Sequence, residues 1–204
     1  MALLSNALTT VQRVKDFAGI NNSSLDTVIE RLINSVTEFI EGYCQRTFLL
    51  ATYTNEEIDG MGINKISVRQ YPVVAITSLE RRASTENINS WDSVDSNMYF
   101  LRTANGMIES SGWVFTRGRA NFRATYSAGY DYDQAAKTLE SIGLGDLEYA
   151  VWKLVQAAIL NRKDNPKVQS ETIGNYSVTY RKEAQRDAEI NEILDRYARP
   201  QSIY

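Results

Sequence analysis

The chain has 204 residues, with 22 Lys and Arg against 25 Asp and Glu, and only 11 Gly and 3 Pro. That mix excludes collagen-like, low-complexity and wholly disordered chains. There is no His and a single Cys, Cys44, which excludes an internal disulfide, a Cys-based zinc cluster, Ser-His-Asp and Cys-His nucleophiles and an imidazole base. The net charge of −3 offers phosphates no overall attraction, so any contact with DNA has to be local.

The start of the chain, up to Leu8, is too short and lacks the basic flank for a signal peptide, and no run of about 18 apolar residues predicts a membrane span. Thr9 or Thr10 can cap a short helix carrying Val11, Val14 and Phe17, which Gly19 is placed to end in a left-handed conformation. Ser24 is expected to cap a second helix. Its apolar residues Leu25, Val28, Ile29, Leu32, Ile33, Val36, Phe39, Ile40 and Tyr43 recur at every third or fourth position, as one buried stripe.

From Leu49 to Tyr130 the period falls to 2. Ile66 and Val68 alternate with Lys65, Ser67 and Arg69, and Ala120, Phe122, Ala124 and Tyr126 alternate with Asn121, Arg123 and Thr125, as half-buried strands do. Asn105-Gly106 predicts a type I′ hairpin turn. Ser84 to Ser96 reads as a long polar loop. Helix returns at Leu147, with Asp146 as its expected cap, and runs to Asn161. An extended stretch follows from Ser170 to Arg181, and a last helix near Ala184 to Arg199 carries Ile190, Ile193, Leu194 and Tyr197 on one face. The expected fold is α+β, mainly a helical bundle with an inserted antiparallel β unit. Its expected parts are 1–48 (helical), 49–130 (β unit), 131–169 (helical, completing the bundle) and 170–204 (extended segment and C-terminal helix, for docking).

Few residue patterns here suggest chemistry. Glu56, Glu57 and Asp59, and Asp131 and Asp133, are neighbours in sequence beside turns, where acids cap the backbone. A carboxylate-dependent hydrolase would need two such groups facing across a cleft. The second helix holds Asp26, Glu30, Glu38 and Glu41 against Arg31, so phosphates would repel it as a DNA-reading helix. A basic patch of Arg102, Arg117, Arg119 and Arg123 is interleaved with Trp113, Phe115 and Phe122. It can serve nucleic acid or a protein partner; an alternating strand with Arg outside and aromatics inside fits the same pattern. In the extended stretch, Ile173, Tyr176, Val178 and Tyr180 can complete a sheet of their own or add to a neighbour's edge.

Four features in order resemble the head-tail connector, or adaptor, proteins of tailed bacteriophages. The first is the short helix with Val14, Lys15 and Phe17 before Gly19-Ile20. The second is Phe39-Ile-Glu-Gly-Tyr-Cys-Gln-Arg-Thr-Phe48, similar to that family's Ile-Glu-x-Tyr-x-x-Arg-x-Phe helix end. The third is Tyr126-Ser-Ala-Gly-Tyr130 ahead of an Ala- and Leu-rich helix. The fourth is Glu171-Thr-Ile-Gly-Asn-Tyr-Ser-Val-Thr-Tyr180 ahead of a final helix with Tyr197. Gly143-Leu-Gly-Asp146 stands where such proteins often have a Pro, and the β insertion is long.

The resemblance implies a virion protein of the neck, made in the host bacterial cytoplasm, without enzymatic activity, cofactor or metal. It implies a homo-oligomeric ring, usually dodecameric, under the portal of a DNA-filled capsid, with genomic DNA passing through the lumen without specific binding. Portal protein, the next neck or tail protein and other copies of the chain are the implied partners, and no membrane is. Ile190, Leu194, Tyr197 and Tyr204, in the final helix and tail, are the implied portal contacts beside Ile173, Tyr176, Val178 and Tyr180, and the acidic face of the second helix is a candidate for the channel side. A tail-completion or terminator protein is the neighbouring alternative, and a small-terminase-like packaging protein the alternative from another class.

Overall fold

The computed structural model describes residues 2–83, 89–133, 138–161, 170–173, 176–179 and 183–199. The protein is α+β, and 38% of the described residues are helical and 31% are in strands. The expected helix-dominated bundle is therefore corrected: the strands of the inserted region are long and hold nearly as many residues as the helices. The chain divides into two compact units, Met1–Gln45 with Tyr132–Tyr204, and Arg46–Asp131.

In the first unit, α1 (Val11–Ala18) is capped by the Thr10 side chain, which accepts from Arg13 N, and ends at Gly19 with φ +68°. Helix α2 spans Asp26–Cys44. Its N-cap is Leu25 and has no side-chain bond, because the hydroxyl of Ser24 is taken by Asn22 Oδ1 at 2.6 Å. The buried stripe of α2 also differs from the apolar pattern. Ile29, Ile33 and Ile40 are fully buried, whereas Phe39 and Tyr43 are exposed and Asn34 and Thr37 are buried instead. These two polar residues hold the N-terminal segment: Leu4 N donates to Asn34 Oδ1 at 3.1 Å and Leu8 N to Thr37 Oγ1 at 3.2 Å. Ala7 and Leu8 are thereby drawn into the core.

Helix α3 (Gly145–Asn161) packs on both α1 and α2, burying Leu147, Ala150, Val151, Val155 and Ile159. Asp146 lies in its first turn and accepts from Leu147 N at 2.9 Å. Helix α4 (Glu183–Tyr197) lies against α2 and α3.

The second unit is built from strands β1 (Ala51–Gly60), β2 (Lys65–Ser67), β3 (Val73–Arg82), β4 (Trp91–Ser93), β5 (Tyr99–Arg102), β6 (Met107–Ser110) and β7 (Gly118–Ala128). One antiparallel sheet has the order β1-β7-β3-β4 and the other β2-β6-β5. Both contribute to one core, in which Ile66, Val68 and Ile108 meet Leu79, Phe115, Phe122 and Tyr126. The alternation expected on β7 holds from Phe122 onward, with Phe122, Ala124 and Tyr126 inside and Ala128 continuing the row, whereas Ala120 is half-buried at φ +47°.

Two local readings are corrected. The β5–β6 connection is a short 3₁₀ turn, Thr103–Asn105, closed by Gly106 at φ +67°; only Gly106 needs a positive φ, so this is no two-residue type I′ turn. Within the expected loop 84–96, Trp91–Ser93 is a strand paired with Glu80 to Arg82 of β3.

The extended stretch near the C-terminus forms an antiparallel hairpin of β8 (Ser170–Ile173) and β9 (Tyr176–Thr179), in which Ile173 pairs with Tyr176.

Candidate functional site

The helical unit contains a polar centre built around Glu148, which is 1% exposed. α3 carries this carboxylate in its first turn toward the start of α1. Thr9 Oγ1 donates to it at 2.9 Å, Arg13 Nε lies 2.7 Å away, and Glu140 N donates to its other oxygen at 3.3 Å. Trp152 Nε1 donates to Thr9 Oγ1 at 2.8 Å. Arg13 also donates to Glu140 at 2.6 Å, and that bond, followed by the nearby Glu148 charge, holds its guanidinium still more firmly in the charged form. Leu8, Tyr132, Thr138 and Leu139 help wall a cavity of about 10 Å³ beside this centre, which is room for no more than one water. With Arg13 shared between Glu148 and Glu140, the arrangement fastens α1 to α3.

In the β unit, Arg46 is 4% exposed. Its guanidinium lies 3.9 Å from the centre of the Tyr71 ring and 5.0 Å from that of Phe48, and it donates to the Tyr71 carbonyl. It forms no ion pair among the described residues, so aromatic faces and a carbonyl carry its charge. Among the described residues, no group of three or more His, Cys, Asp or Glu is placed to hold a metal ion.

The expected basic patch draws on both sheets of the β unit and on the connection between them. Arg102 is on β5 in the three-stranded sheet and pairs with Glu109 at 3.1 Å. Arg123, on β7, is bound to Glu80 at 2.6 Å. Arg117 and Arg119 are exposed and make no ion pair among the described residues. Two partners of Arg123 were missed in the sequence, Glu80 and Trp91; the Trp91 ring centre lies 4.5 Å from the Arg123 guanidinium and 4.6 Å from that of Arg82. Only the pairing of β4 with β3 brings them together.

Of the residues proposed for docking, Ile173, Tyr176 and Val178 are in the β8–β9 hairpin, and Tyr180 and Tyr204 lie outside the described residues. Ile190 and Leu194 are buried in the helical unit, Leu194 completely. The Tyr197 hydroxyl donates to Asp146, and Arg196 lies 3.3 Å from the same carboxylate. The apolar side of α4 thus has a home within its own chain.

Large apolar side chains are exposed elsewhere. Phe39 and Tyr43, one turn apart on α2, are 54% and 39% exposed, with ring centres 6.4 Å apart. Val114 is 51% exposed, and Met61, Ile63, Met98 and Phe100 are also exposed. The exposure of Phe39 and Tyr43 departs from the single buried stripe expected of α2, because Asn34 and Thr37 take buried positions to bind the N-terminal segment.

Exposed apolar side chains are thus found in both units, and comparison with known proteins gives the family. The head completion protein family matches residues 7–199. The chain belongs to that family. Members of the head completion family are structural components of the virion, and this chain is one of them. No curated protein matches the chain by sequence. Its fold is similar to that of a chain in the neck of the native GTA particle computed with C12 symmetry, at 16% identity and TM-score 0.56 over 97% of this chain and 92% of that one. A chain in the neck of the empty GTA particle computed with C6 symmetry is 13% identical, with TM-score 0.54 over 97% and 93%. A chain in the virion of the native gene transfer agent particle is 14% identical, with TM-score 0.52 over 97% and 92%. At such identities the likeness is one of fold.

Proposed function

We propose that this head completion protein is a head-tail connector of the phage neck. It forms a closed ring below the portal, joins the DNA-filled capsid to the next neck or tail protein and leaves a channel for the genome. The main support is the family match over residues 7–199, joined to a fold likeness over 97% of the chain with a neck chain computed with C12 symmetry. A dodecamer is the ring size that this likeness favours.

Mechanically, the subunit contributes rigid parts and adhesive surfaces. The helical unit is locked by Glu148 and Arg13, and the β unit has a core of its own. The β8–β9 hairpin with Ile173, Tyr176 and Val178, and the residues around Tyr180 and Tyr204, are proposed as the portal contact; Ile190, Leu194 and Tyr197 position α4 for it from inside. Arg117 and Arg119 are the members of the basic patch left open to a partner. An acidic or neutral lumen lets the genome pass unheld, since affinity for DNA grows with each cation that contacts a phosphate.

The test is a cryo-EM map of the particle neck together with a lysate made without this chain. Rings of it between portal and tail are expected, and without it DNA-filled heads and free tails should accumulate unjoined. Normal tailed particles in its absence would overturn the proposal.

A further inference from the structure

Two exposed patches of this chain are opposite in charge and alike in build. On α2, Phe39 and Tyr43 form a small aromatic surface. It is edged by exposed Glu38, which has no ion pair among the described residues, and by exposed Asp195 of α4, which accepts from the Tyr43 hydroxyl at 2.6 Å. In the β unit, Met61, Ile63 and Val114 are exposed around Arg117. Backbone pairing makes these residues one patch: Gly62 N donates to Phe115 O at 2.8 Å, Phe115 N donates to Ile63 O at 2.8 Å, and a methyl group on Gly62 would sit 3.7 Å from Arg117 Cβ. Arg117 has no carboxylate partner among the described residues.

We infer that these patches are the two halves of the contact between neighbouring copies of this chain, the Met61–Ile63–Val114–Arg117 patch of one copy seated on the Phe39–Tyr43–Glu38 patch of the next. The inference rests on the ring reading above and names its interface. A contact that joins two different patches is head-to-tail, and it either closes into a ring or runs on as a filament. Each patch has an apolar centre with a charge at its edge. Burial of the centres supplies the attraction, while Arg117 against Glu38 and Asp195 selects the register and disfavours pairing of like patches, since two α2 patches would oppose acids and two β patches would oppose arginines. On this assignment the acidic edge of α2 belongs to the subunit boundary, not to the channel wall.

The experiment uses assembled particles carrying Phe39→Cys and Val114→Cys in the same chain, oxidised and run on non-reducing gels. A ladder of multiples of this chain is expected, with neither single variant producing more than trace dimer. A second pair tests the charges: Arg117→Glu should reduce incorporation into particles at least tenfold, and adding Glu38→Lys should restore it. Particles that contain the double-cysteine chain in the neck, are fully tailed and give no ladder would overturn this inference and leave the neck reading standing. So would a cross-link to a different virion protein, or failure of Glu38→Lys to rescue. Particles from which the unaltered chain is absent would overturn the neck reading, and the inference with it.

Discussion

A buried carboxylate needs donors and a cation close by to replace the water it has lost, and Glu148 has both. Glu148→Ala deletes the acceptor shared by Thr9 and Glu140 N and leaves Arg13 with Glu140 alone. A loss of about 3 kcal/mol is expected in urea denaturation, the low end for a broken buried pair because Glu140 still faces the guanidinium. Arg46 is the complementary case, a buried cation held by ring faces. Lysine cannot stack as a plane, so Arg46→Lys should cost about 1–2 kcal/mol in the same assay while conserving charge. Tyr126 reports on pH. Burial, and then its hydrogen bond to Glu56, pushes its phenol well above the ordinary value of 10.0. The folded protein therefore keeps a proton that the unfolded chain releases above pH 10. Stability is complete below that pH and falls as pH rises beyond it. Thermal melts should show this decline, and Tyr126→Phe should make it shallower, at a cost of about 1 kcal/mol near neutrality.

At the scale of elements, α4 is held by Ile190, Ile193 and Leu194, by Arg199 N donating to Cys44 O at 3.0 Å, and by Tyr197 on Asp146. Leu194→Ala should cost about 2–5 kcal/mol and release α4 amides to hydrogen exchange before those of α3. The β unit is most sensitive at Gly60, where a Cβ would lie 1.9 Å from Thr116 O; Gly60→Ala should lower the melting temperature through a forced backbone shift. Both elements show what local pattern conveys and what it does not. The strong periodicities of α2, α3 and β7 were legible because each buries one face against many neighbours. Thr10 and Gly19 were legible because a cap depends on residues within one turn. The outward turn of Phe39 and Tyr43 was not, since it depends on Asn34 and Thr37 meeting a segment some thirty residues earlier in the chain. Nor was the Arg82–Trp91–Arg123 stack, which requires the pairing of three strands. Gly106 was placed correctly as a positive-φ residue, yet its turn type depended on Thr103 to Asn105 coiling first.

At the scale of the molecule, the chain builds one unit from two separated stretches and the other from what lies between them. The backbone at the two crossings is joined: Tyr130 N donates to Phe48 O at 2.7 Å, Leu50 N to Tyr130 O at 2.9 Å, and Leu49 forms a parallel bridge with Tyr130. Departure and return thus share one doorway. A polypeptide threaded in this way carries its β unit as a cassette, which a lineage can lengthen, trim or exchange without rethreading the helical scaffold.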